Sequence, residues 1–465
     1  MFPITEFTKC LQSTMTSANL SIFLTLVQSF LCCRYETTTR GLSRYCEYSL
    51  RQIFRFLAVP HKWLEMRISL FKTFIYDKNG HYIVAVDEVV EGKSGAASFG
   101  LARFYSSCQQ KTIKGISFFA LSLINITTKS SSLLNILQVV YSEDDKKRIA
   151  RKKEKIEAGK IRTQEKRNLP KGRPKKENTA KQETTKQETA SSTASFRVFK
   201  ALFESSLLLL KKTISAIKIT HLVADCAYSG LDYLQIALEN NCFLISKRSA
   251  AQMKSTTALY EPAQAESGKR GRPKTYGKKI DLQNIDQKYL KKTEEKQGNV
   301  YKYYQFEALN KSLKGVKLNI VVLIIINKNK WCGNPQISTN VWFSNDLRLS
   351  YETLLQYYSL RFQIEFHFRD TKQHFGLADF KNYKEQNLVN FVNLSFTMCL
   401  LSKIILEKYR AETKNPKASI LDLKIMYNAQ FTAQKIIKYL GINDCNNFYS
   451  NKIAKYVPDE IINRL

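Results

Sequence analysis

Tyr351 to Phe380 reads YETLLQYYSLRFQIEFHFRDTKQHFGLADF. Tyr357, Leu360, Ile364 and Phe368 recur at helical spacing, which predicts one amphipathic helix packed against a sheet. Gly376 suits the end of that helix. Tyr358, Arg361, Glu365 and Lys372 stand at offsets 0, 3, 7 and 14. At ~100° per residue these four fall within an arc of roughly 60°, and Arg369 joins them. A carboxylate is thereby held among cations and a phenol along a stripe roughly 20 Å long. Such a stripe suits a phosphate backbone beside a metal-held reaction centre. A solvated helix face with i,i+4 pairs would carry the same residue types, so the chain around the helix has to decide.

The spacing Tyr-x2-Arg-x3-Glu-x6-Lys resembles the signature of bacterial DDE-class transposases of the insertion-sequence-four family, at all four positions. Phe343 to Leu347, FSNDL, is similar to the strand end that precedes this helix in that family. The resemblance implies an RNase H-like core in which Glu365 is the third metal-binding carboxylate. The implied fold class is α/β, a mixed sheet flanked by helices, with a β-rich insertion and helical N- and C-terminal regions.

Two further acidic residues sit where that core needs them. In HYIVAVDEVV, Tyr82 to Val86 reads as a buried strand that Asp87 ends. In HLVADCAYSG, Ile219 to Ala224 reads as a second strand, ended by Asp225. Either Asp alone would read as a helix N-cap. Two at strand ends, with Glu365, favour a metal cage. Glu88 follows Asp87 directly and is a second candidate for its role. The segment GKS at Gly92 to Ser94 is not a P-loop, because Asp87 occupies the place of the first glycine.

Composition agrees with a nucleic-acid partner. The chain has 465 residues, and its formal net charge of +33 creates a field that draws polyanions. No uninterrupted apolar run approaches the ~20 residues a membrane crossing needs. The N-terminus lacks an export pattern, so a cytoplasmic, nucleoid-associated bacterial location is expected. None of the ten cysteines forms a C-x-x-C pair, and they read as reduced core residues.

Residues 1–79 read as a helical DNA-binding region, with Arg40, Arg44, Arg51 and Arg55 sharing one face if the helix is continuous. A basic-surfaced helical bundle explains them equally well. Core segments are expected at 80–140, 196–249 and 316–385, the last with the catalytic helix. A hairpin is expected from Ser98 to Ser106 and Gly115 to Ile126. Residues 141–195 form a basic, charged linker insertion containing KGRPKK at Lys171 to Lys176, a Gly-Arg-Pro core that fits a narrow minor groove or a solvated tether. Residues 250–315 form the β-rich insertion, with a second such motif from Lys269 to Lys279. Trp331 and Trp342 suit base stacking or core packing. Residues 386–465 form a C-terminal helical region.

The chemistry expected is Mg²⁺-dependent DNA cleavage by two ions, with Mn²⁺ as an alternative. Asp87 would bridge the ions, and Asp225 and Glu365 would each hold one. Tyr358, Arg361, Lys372, Lys93 and Arg369 would contact phosphates. By resemblance, the released 3′-hydroxyl then attacks target DNA. The partners expected are transposon-end inverted repeats, target DNA and a second copy of the chain. The rival readings are a non-enzymatic basic DNA-binding protein and a stand-alone metal-dependent nuclease.

Overall fold

The computed structural model describes residues 4–106, 109–151, 154, 157–158, 193–249, 258–263, 274–327 and 336–439. The Gly-Arg-Pro core at 172–174, the one at 271–273 and Trp331 lie outside them, as does most of the charged block at 141–195. Five helices open the chain: α1 (Thr8–Leu11), α2 (Ser17–Cys32), α3 (Thr39–Ser43), α4 (Leu50–Ala58) and α5 (Trp63–Phe74). Arg40 belongs to α3 and Arg44 caps it, while Arg51 and Arg55 belong to α4. The four are exposed but share no continuous helix face. Ser49 ends the intervening turn by capping α4, with Gln52 completing a capping box.

The sheet is built around β1 (His81–Gly92). Its run from Tyr82 to Val86 is buried on both faces, as a central strand requires. Next come β2 (Ala102–Ser106), β3 (Lys111–Asn125) and β4 (Ser131–Val139), then α6 (Ala194–Thr213), β5 (Lys218–Ala224), α7 (Leu231–Glu239) and β6 (Phe243–Ser249). β1 pairs antiparallel with β3 on one side and parallel with β5 on the other, and β6 lies parallel to β5. The order β4-β3-β1-β5-β6 is the RNase H-like arrangement, three antiparallel strands followed by two parallel ones. Two strand readings differ from expectation. β1 does not end at Asp87: pairing with β5 stops at Val86↔Ala224, but pairing with β3 continues to Gly92↔Gly115. β4 falls in a stretch where no strand was expected.

Residues 250–315 contribute β7 (Leu259–Pro262), β8 (Tyr276–Lys279), β9 (Leu290–Lys296) and β10 (Asn299–Asn310). These strands do not stand apart from the core. β10 pairs with β11 (Lys317–Asn327), β11 with β12 (Gln336–Ser344), and β12 with β6, so the sheet continues to 12 strands. The expected catalytic helix is two segments, α8 (Tyr351–Leu360) and α9 (Phe362–His374). Arg361 between them keeps helical angles, but Arg361 N–H bonds Tyr358 O and Ile364 N–H bonds Arg361 O. The ladder thus tightens to i→i+3 steps at that residue.

α10 (Glu385–Thr413) and α11 (Ile420–Tyr439) close the described chain. α10 is long and apolar enough to cross a membrane, but 89% of its apolar window is buried inside the protein. It packs on α4, α5 and β4. Arg67 of α5 is fully buried there, donating to Leu134 O, to Asn393 O and Oδ1, and to Thr397 Oγ1. Burial pulls its pKa down to about 9, and the bonds to neutral oxygens compensate for the water it loses.

The end of α9 is fixed to the N-terminal helices. Gly376 has φ +75°, and a Cβ there would lie 2.3 Å from Thr37 O. Thr37 N–H also bonds Asp379 Oδ2 at 2.9 Å, and Thr39 Oγ1 bonds Asn382 Oδ1. Both the left-handed backbone and the approach of Thr37 require glycine. Replacing it, Gly376→Ala, is expected to lower unfolding free energy by on the order of 2 kcal/mol or more. Chemical denaturation monitored by circular dichroism reads this directly; an unchanged midpoint would contradict it.

Candidate active site

Sheet register brings the two aspartates together. Val86 and Ala224 are the last parallel pair of β1 and β5, so Asp87 and Asp225 follow on neighbouring strands. Alternation sends Ile83, Ala85 and Val89 of β1 into the apolar cluster that also holds Leu360, Ile364 and Phe368. Asp87 shares that face and meets α8 and α9. Glu88, one residue on, points to the opposite face. There it accepts hydrogen bonds from Ser117 Oγ and, at 3.4 Å, from Tyr228 OH. Glu88 therefore cannot replace Asp87: the strand's period of two separates them by the thickness of the sheet.

Arg361 is the hub. It is 6% exposed, and its guanidinium reaches Asp87 Oδ2 at 2.7 Å and Glu365 Oε1 at 3.0 Å. Tyr358, one helical turn earlier, donates its hydroxyl to Asp225 Oδ1 at 3.4 Å. Asp225 precedes a 3₁₀ turn, Cys226–Tyr228, yet its side chain makes no capping bond. The N-cap reading of this residue thus fails on geometry. Asp87, Asp225, Glu365, Tyr358 and Arg361 form one group of side chains drawn from two strands and one helix pair.

Burial and neighbouring charge compete in the group. Burial pushes the Asp87 carboxyl up to about 6; Arg361 pulls against it, while Asp225 and Glu365 push the same way as burial. For Arg361, burial works against the charge, but Asp87 leads the interactions that outweigh it, and the guanidinium pKa is raised. Tyr358 is pushed up to about 12, mainly by burial, so its hydroxyl stays protonated and can donate. Among the described residues no three His, Cys, Asp or Glu side chains close around a common point as metal ligands would. Asp87 and Glu365 are instead paired with the Arg361 guanidinium, and Asp225 with the Tyr358 hydroxyl.

The remaining expected phosphate contacts lie elsewhere. Lys372 pairs with Glu91 Oε1 at 2.5 Å, four residues along β1 from Asp87. The Arg361–Asp87 and Lys372–Glu91 pairs therefore set the register of α9 along β1. Lys93 donates to Phe380 O at 2.9 Å with its ammonium 3.5 Å above the Phe380 ring. Arg369 turns away from the carboxylates. It pairs with Asp370, lies over Phe366, and lines a separate cleft with Gln373, His374 and Lys403.

Trp342 packs against Tyr358, with ring centroids 6.2 Å apart, and is 9% exposed. Lys247 of β6, which sequence reasoning passed over, stands 5.2 Å above the Trp342 ring. Its place beside Asp225 depends on strand order, and no local spacing announces it.

A family model described as a DDE superfamily endonuclease matches residues 6–307. That range takes in the N-terminal helices, β1 with Asp87 and β5 with Asp225, and it stops within β10, before α8 and α9. No curated protein matches the chain. The match covers more than half of the sequence and agrees with the RNase H-like sheet, so the chain belongs to the DDE superfamily endonuclease family, whose chemistry is the cleavage of phosphodiester bonds in DNA.

Proposed function

We propose that this chain is a transposase of the insertion-sequence-four type, binding the ends of a mobile element and catalysing Mg²⁺-dependent cleavage and strand transfer. The observation that carries this reading is the meeting of Asp87, Asp225 and Glu365 about Arg361 and Tyr358, within the Tyr-x2-Arg-x3-Glu-x6-Lys spacing. A non-catalytic basic protein has no use for three carboxylates gathered in a half-buried site, where their mutual repulsion costs stability.

The donor set fits divalent cations. All three side chains offer hard oxygen ligands, and burial, with smaller contributions from Asp225 and Glu365, raises the pKa of Asp87 despite the Arg361 guanidinium beside it. Asp87, Asp225 and Glu365 would hold the ions. Bound there, Mg²⁺ supplies a water of lowered pKa and stabilises the leaving oxygen. The chain's own groups do the rest. Tyr358 orients Asp225 through its hydroxyl. Arg361 sits where it can hold a phosphate oxygen once it is released from Asp87 and Glu365. Lys372, paired with Glu91, and Lys93, bonded to Phe380 O, stand further along β1 and would reach a backbone only on leaving those partners. The exposed arginines of α3 and α4 would bind the element's end, and a second copy of the chain would hold the other end. In this reading the liberated 3′-hydroxyl is the nucleophile for joining to target DNA.

The direct assay uses DNA carrying the inverted repeats that border the gene. Nicking is expected in Mg²⁺ and not in Ca²⁺, and Glu365→Ala should abolish it while leaving Ca²⁺-supported binding in place. Equal nicking by the variant would sink the assignment.

Arg361 and a divalent cation compete for the same oxygens. Replacing the cation by Arg361→Gln leaves two acidic groups unpaired and should cost on the order of 3 kcal/mol in metal-free buffer. Millimolar Mg²⁺ should then raise the melting temperature of the variant more than that of the parent chain. Thermal unfolding with and without MgCl₂ measures both; an equal rise in each would count against a shared site.

Asp87 also sets a pH dependence. Its folded pKa is above the unfolded value, so the free protein binds a proton here between roughly pH 4 and 6, and the stability gained from that proton is lost as pH rises through about 6. A cation needs the deprotonated form. Cleavage should therefore rise with pH through about 6, and the midpoint should move lower as Mg²⁺ is increased. A rate profile flat from pH 5 to 7.5 at limiting Mg²⁺ would exclude this role for Asp87.

A further inference from the structure

We propose that Lys247 and Trp342 form a phosphate-holding position on the Asp225 side of the carboxylates, opposite the one served by Arg361. The inference rests on the catalytic reading above for the identity of the anion, a DNA phosphodiester.

Strand register places Lys247. β6 runs parallel to β5, and Val223↔Ile245 is their last registered pair. Two residues further along each strand come Asp225 and Lys247. Val223 and Ile245 both face the cluster that contains Leu354, Tyr358 and Trp342. Alternation returns Lys247 to that same face. On its other side Lys247 pairs across the sheet with Trp342 of β12, which fixes the ammonium 5.2 Å from the indole centroid. Lys247 is thus held at the end of the strand next to Asp225, on the face where Tyr358 meets Asp225.

Donors in this corner lack acceptors. Among the described residues the Lys247 ammonium has the Trp342 ring as its partner and no carboxylate. The Trp342 indole N–H is buried and without a hydrogen-bond partner. Buried donors are normally satisfied, and each one left open costs roughly 1–3 kcal/mol. Open donors beside a group of carboxylates are what an anionic ligand needs. Cation–π contact with Trp342 holds the flexible lysine stem in place, so less ordering remains for binding to impose. A phosphodiester approaching the carboxylates would otherwise meet unscreened negative charge on the Asp225 side. Lys247 supplies the opposing charge there, as Arg361 does on the Asp87 side. It is a positioning residue for the DNA backbone, and no bond is made or broken through it.

The test uses a supercoiled plasmid carrying the gene with its flanking sequence, and the full chain. Binding is measured in Ca²⁺ across a salt series, and nicking in Mg²⁺. Loss of one phosphate contact in Lys247→Ala should reduce the steepness of log K against log salt by about 0.9. It should also raise KM about tenfold with a smaller change in kcat, and Lys247→Arg should restore both. An unchanged salt slope in Lys247→Ala overturns the proposal, and so does failure of Lys247→Arg to restore it. A lower melting temperature with an unchanged slope assigns Lys247 to packing on Trp342 and overturns it as well. If the unmodified chain does not nick in Mg²⁺, the catalytic reading falls on that result alone, and the Ca²⁺ salt slope still decides for or against the Lys247 contact.

Discussion

One guanidinium holds the site together. Arg361 touches a carboxylate on the central strand and another on its own helix, and it does so nearly out of contact with water. Without it, Asp87 and Glu365 would face each other and Asp225 with nothing to offset their charge. The helix pair would then have no electrostatic reason to dock in this register on β1. The second rung, Lys372 to Glu91, repeats the arrangement further along the strand. Apolar packing of Ile364 and Phe368 attracts the helix to the sheet but does not choose among registers, because hydrophobic contact is not directional. The two ion pairs make that choice, at the cost of desolvating each charge. The i→i+3 tightening at Arg361 occurs at this same residue, where the helix turns toward Asp87.

Much of this was legible in the sequence, for reasons of period. A helix writes its face into the chain at 3.6 residues per turn, so Tyr358, Arg361 and Glu365 could be grouped without coordinates. The strands around Asp87 and Asp225 were legible because buried parallel strands are continuous apolar runs. What stayed hidden depends on pairing between distant segments. Nothing in HYIVAVDEVV says that β3 continues beside it to Gly115 after β5 has stopped. The extension of the sheet through β12, β11 and β10 is of the same kind, because hydrogen bonds to a neighbour leave no local mark. β4 left no clear mark because Leu133, Leu134, Ile136, Leu137 and Val139 in SSLLNILQV fit a helical period as well as a strand's. Lys372 and Arg369 were grouped with the others by angle alone. In the structure a strand carboxylate captures the first, and the helix turns the second into another cleft.

The separation of Asp87 from Glu88 shows how strictly a strand sorts adjacent side chains. Both are acidic and next to each other, yet one meets Arg361 and the other meets Ser117 and Tyr228 on the reverse face. Burial raises the pKa of both carboxyls. Only Asp87 has like-charged neighbours that a cation could relieve; Glu88 is drawn back toward its ordinary range by the Ser117 and Tyr228 hydroxyls, which donate to the ionised carboxylate. The family match adds an independent constraint from outside the helix. It spans the strands that carry both aspartates and ends before the helix that carries Glu365, so it bears on the sheet and not on the helix pair.

Net charge and local charge oppose each other in this protein. At +33 the chain attracts DNA from a distance, but salt screens that field within about 10 Å. Inside that distance a phosphate approaching the site meets three carboxylates, and the distant lysines no longer help. In the proposed cleavage reading, short-range cations on both sides of the acidic group would hold the phosphodiester in line. Arg361 stands on the Asp87 side, tied by 2.7 and 3.0 Å contacts. On the other side, strand order leaves Lys247 beside Asp225, steadied by Trp342. A long-range field can gather DNA from any direction; alignment of one bond with three carboxylates needs charges fixed to the strands and the helix pair that carry them.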